Sequence, residues 1–174
     1  KELITTQLGH LVFGEEDQEL EHIVVDLLNR REETLATLEL GTGGSLANRI
    51  HEYPESSSCF AGGLIYPDFA RAIQSLERLG TSSISQQTSL IELAQITRDL
   101  LKTDYLLMIS DWDRNGGDQN ELIPEVTIAL IARDTVVERK LKLGGDPGIH
   151  KGRIGKAILN ELRLHLLGVS SDEP

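Results

Sequence analysis

The chain has 174 residues, 39% of them hydrophobic, which is enough for one domain with a real core and too apolar for a disordered chain. Its 28 acidic and 17 basic residues give a formal charge of -11, against the clustered Lys and Arg that a nucleic-acid binder or an anionic membrane surface requires. The single cysteine, Cys59, excludes an internal disulfide and a zinc site of several thiolates, and no ligand spacing links it to His10, His22, His51, His150 or His165, which read as surface or core residues.

There is no uninterrupted apolar run of about 18 residues and no basic-then-apolar leader, so neither a spanning helix nor a signal peptide is visible. Together with the lone thiol, this leads us to expect a cytoplasmic protein. The first residue is Lys1 and not Met, from which we expect a longer protein upstream. Residues 1–16 read as a linker or extension, 17–168 as the domain and 169–174 as a disordered tail.

Within the domain, "DQELEHIVVDLLNRRE" (17–32) places Leu20, Ile23, Val24, Leu27 and Leu28 at helical spacing. "TLATLEL" (34–40) reads as a buried strand running into Gly41, and a helix follows from Gly44 to His51. "SCFAGGLIY" (58–66) is a second strand whose glycine pair marks a bulge or a close backbone approach. Pro67 then opens a helix over 67–80, and Ser85 caps another over 85–103. "DYLLMIS" (104–110) is nearly continuous in apolar residues, the pattern of a strand covered on both faces. Beyond a polar stretch, "EVTIALIA" (125–132) and "VVERKLKL" (136–143) form a hairpin, and a closing helix covers 149–167. Strands interleaved with helices, plus one hairpin, predict a three-layer α/β/α sandwich on a mixed sheet of about five strands.

The string "LELGTGGS" (38–45) is where such a sheet holds phosphates or nucleophiles. Successive amides at Gly43 and Gly44 can cradle an anion, or Gly41, Gly43 and Gly44 form only a tight turn. Thr42 and Ser45 carry hydroxyls, either substitute nucleophiles or helix N-caps. Glu39 reads as a structural ion-pair partner for Arg71 or as a cation-binding group. In the polar stretch, Asp111, Asp113 and Asn115 fall where a calcium loop places its first ligands. Position 12 is Leu122, however, and the stretch follows a strand, so the bidentate carboxylate such loops require is missing and the stretch reads rather as a solvated surface loop rich in turn formers.

The order of elements and several strings resemble the C-terminal domain of the CinA family, the competence/damage-inducible proteins. "ELGTGG" (39–44) is similar to that family's Glu-Ser-Cys-Thr-Gly-Gly, keeping Glu39, Thr42, Gly43 and Gly44 and replacing Ser and Cys by Leu40 and Gly41. "PESSSCFAGG" (54–63) looks like its Pro-Gly-Ser-Ser segment. Tyr66 and Arg71 are most similar to its Tyr and Lys if one residue is deleted before the tyrosine. Its Thr-Gly-Ile-Ala-Gly-Pro loop would lie at "SDWDRNGG", which keeps almost none of it. "GGDPGIHKGR" (144–153) resembles its Gly-Asp-Arg stretch, with Pro147 for the first Arg and Lys151 or Arg153 as later cations.

The resemblance implies a relative of nicotinamide mononucleotide amidases, which release ammonia from the nicotinamide amide. It also implies a homodimer, an upstream molybdopterin-type domain, no cofactor and a small nucleotide as ligand. Covalent amide hydrolysis needs a nucleophile activated by a neighbouring base. Leu40 has no lone pair and Arg71 stays protonated, so both halves of a Ser-Lys pair are absent. The expectation is a catalytically inactive domain that keeps a nucleotide or phosphate pocket. The alternatives are an amidohydrolase using other groups and a structural or calcium-binding domain.

Overall fold

A computed structural model of the chain describes residues 19–81, 84–85, 87–112 and 123–169. Its elements run α1 (Leu20–Arg31), β1 (Leu35–Leu40), α2 (Ser45–His51), a 3-10 turn (Pro54–Ser58), β2 (Phe60–Tyr66), α3 (Phe69–Arg78), α4 (Leu90–Leu101), β3 (Tyr105–Ile109), β4 (Glu125–Ile131), β5 (Val136–Lys142) and α5 (Pro147–Leu167). The expected mixed sheet of five strands is present, in the order β2-β1-β3-β4-β5. β1 pairs parallel to both β2 and β3, and β4 is antiparallel to β3 and β5.

The central strands are covered on both sides, which is why β1 and β3 are buried at every residue. Alternate residues serve opposite layers. Leu35, Leu107, Ile109 and Ile128 pack with Val24, Leu28, Ile50 and Ile158 from α1, α2 and α5. Ala36, Leu38, Leu40 and Met108 pack instead with Ile73, Leu76 and Leu93 from α3 and α4. Each large aliphatic side chain closed off in this way stabilises the fold by roughly 1.5 to 3 kcal/mol. β5, at one edge, alternates exposed and half-buried positions along its whole length.

The connection out of β1 passes over the first layer, whereas those out of β2 pass over the second. The chain therefore reverses its winding beside β1, and the carboxyl ends of β1 and β3 lie at the reversal point, where open α/β sheets in general place their ligands. The glycine turn sits there.

Three helix starts differ from the sequence expectation. Pro67 does not open α3; the N-cap is Asp68, whose carboxylate accepts the Arg71 amide at 2.8 Å. Ser85 does not cap α4, because Ser89 and Glu92 form a reciprocal capping box and satisfy two amides where Ser85 offers one oxygen. α5 begins at Pro147 and not Ile149, with Asp146 accepting the Gly148 amide.

The glycine pair in β2 marks both expected features. The β1–β2 register shifts between Leu35 and Ala36, and a Cβ added to Gly63 would lie 2.1 Å from Thr37 Oγ1. Thr37 is fully buried in a strand and cannot give way. Gly63→Ala is accordingly expected to lower the unfolding free energy by about 2 kcal/mol, measured by chemical denaturation. Most of that loss should be recovered when Thr37→Ala is added, since the hydroxyl removed has no hydrogen-bond partner to lose.

Candidate functional site

Beyond Leu40 the backbone turns through Gly41, Gly43 and Gly44, at φ of 80°, 73° and 85°, a region that L side chains seldom occupy. Gly41 is tied to the neighbouring strand by its amide, which donates to the Tyr66 carbonyl at 2.9 Å. Gly44 is the N-cap of α2, and no side chain caps it from the usual position. The cap comes from inside the sheet. Glu39, fully buried, accepts the Leu46 amide on Oε2 at 3.0 Å and the Ala47 amide on Oε1 at 2.8 Å, and Thr42 Oγ1 also donates to Oε2.

This geometry corrects three readings of the sequence. Neither Thr42 nor Ser45 caps the helix: Thr42 donates to Glu39, and Ser45 is the first helical residue. Glu39 does not pair with Arg71, which is exposed on α3 and donates to Gln74 Oε1 at 3.1 Å. The amides at the start of α2 are not free for an external anion either, because the Glu39 carboxylate holds two of them. What remains at the turn is the Gly43 side, where Lys151 of α5 brings its ammonium to 3.8 Å from the place a Gly43 Cβ would occupy. The short-range capping pattern missed Glu39 because its donors lie seven and eight residues further along.

Leu40 points to the other face. It is completely buried among the α3 and α4 residues, and its register partner Tyr66 is half-buried against the same cluster. No oxygen, amine or imidazole of its own stands at that position. Thr42 is 1% exposed, so its hydroxyl is closed to a substrate. Cys59 lies at the start of β2, and burial pushes its thiol up and keeps it protonated.

Of the calcium-loop candidates, Asp113 and Asn115 lie outside the described residues. Asp111 accepts the Phe69 amide at 3.4 Å and so belongs to the β2–α3 connection. Among the described residues no three His, Cys, Asp or Glu side chains are grouped to hold a metal ion. No helix among them is long and apolar enough to cross a membrane. His22 stacks on Tyr53 and His165 meets the edge of Tyr105, which are packing contacts.

A family model described as the CinA C-terminal domain matches residues 17–166. The chain belongs to this family. A putative competence-damage inducible protein of Thermoanaerobacter sp. (strain X514) is 28% identical over 173 residues, covering 95% of this chain and 41% of the relative. One of Desulforudis audaxviator is 33% identical, covering 94% of this chain and 40% of the relative. The chain thus spans about two fifths of the length of the curated relatives it matches. Among solved structures, a CinA superfamily protein from Klebsiella pneumoniae 700603 superposes with a TM-score of 0.70 at 19% identity, over 87% of this chain and 99% of that one. That likeness is one of fold.

In this CinA domain the glycine turn depends on a carboxylate, and an amide in its place offers one acceptor oxygen where two are used, for three hydrogen bonds. Glu39→Gln should therefore cost about 2 kcal/mol of stability in denaturant titration, the scale set by leaving buried amides unpaired. Arg71→Ala should cost nothing measurable, because an exposed Arg–Gln contact contributes little to stability.

Proposed function

We propose that this CinA C-terminal domain is a nonhydrolytic member that binds a small phosphorylated nucleotide at the glycine turn without cleaving it. The observation that carries the reading is the complete burial of Leu40 in the α3/α4 cluster, at the position that matches the family's serine. Amide hydrolysis through an acyl-enzyme requires an attacking oxygen and a base that takes its proton. Hydrocarbon supplies neither. The guanidinium of Arg71 cannot accept a proton at any pH the protein survives, and it is turned to Gln74. Removing an activated nucleophile from a hydrolase leaves only the contribution of binding and oxyanion donors, several orders of magnitude below the full rate.

Support for binding comes from the Gly43 side of the turn. Gly43 and Gly44 present bare backbone at positive φ, Ile65 packs against Gly44, and the Lys151 ammonium stands beside Gly43. A phosphate placed between them would meet backbone donors and one cation. Of the two other hydroxyls near the turn, Thr42 is bonded to Glu39, and among the described residues no base is hydrogen-bonded to the Ser45 hydroxyl.

The test is incubation with nicotinamide mononucleotide and measurement of released ammonia. No release above the uncatalysed background is expected, and turnover at the level of an amidase would overturn the reading. Binding is followed separately as a thermal shift with the same nucleotide, which Lys151→Ala should reduce. The variant Leu40→Ser is expected to lose about 3 kcal/mol of stability, because it leaves both a void and an unpaired hydroxyl in the α3/α4 core.

A further inference from the structure

We draw no further inference here: the strongest candidate, the uncharged outer edge of β2 (Phe60–Tyr66), which leaves Ala61, Gly63 and Ile65 exposed at the margin of the sheet, carries nothing because no feature of the structure shows what covers it.

Discussion

The glycine-turn end of this fold depends on one buried carboxylate. Glu39 stands at the last inward-facing position of β1 and takes donors from the turn and from the first amides of α2. None of these donors is a cation. The charge is balanced by the partial positive charge of helix amides and by one hydroxyl, an arrangement known to stabilise anions at helix starts. Strand, turn and helix are therefore fixed to one another by a single side chain, and the three positive-φ glycines are the conformational requirement of bringing α2 back over it. The protein's own anion occupies the place where an outside phosphate would otherwise meet α2. On the Gly43 side the turn faces the Lys151 ammonium instead.

The alternation of β1 places the groups that hold the turn and the side chain of Leu40 on opposite faces of the sheet. Thr37 and Glu39 face the α1/α2/α5 layer, and Leu38 and Leu40 face α3 and α4. The residues that hold the turn and the residue at the serine position are adjacent in sequence but belong to different cores. Replacing one makes no demand on the other. The same parity separates Arg71, on the outer side of α3, from Glu39, which is sealed beneath α2.

Most of the architecture was legible because the burial pattern is written directly into residue order. The unbroken apolar run of β3 and the alternation of β5 signal a central and an edge strand, and among the described residues five strands and five helices follow in the expected sequence. Helix starts were less legible, since two adjacent candidates compete and the decision rests on a reciprocal partner, as between Ser85 and Ser89. At the site, the glycines and the replaced serine could be read from the string "ELGTGG". The role of Glu39 could not, because a carboxylate in a strand says nothing about which amides a returning helix will present to it. Opposite charge suggested Arg71 as its partner, but charge in sequence carries no information about which face a side chain occupies.

Leu40 has a consequence for substitution. A polar group at this place is compatible with the fold only where its surroundings supply partners for it. With α3 and α4 closed over hydrocarbon, a lone hydroxyl at this position is opposed by its effect on folding, whatever chemistry it could offer. The leucine thus restricts which side chains this position accepts, independently of what the domain binds or catalyses.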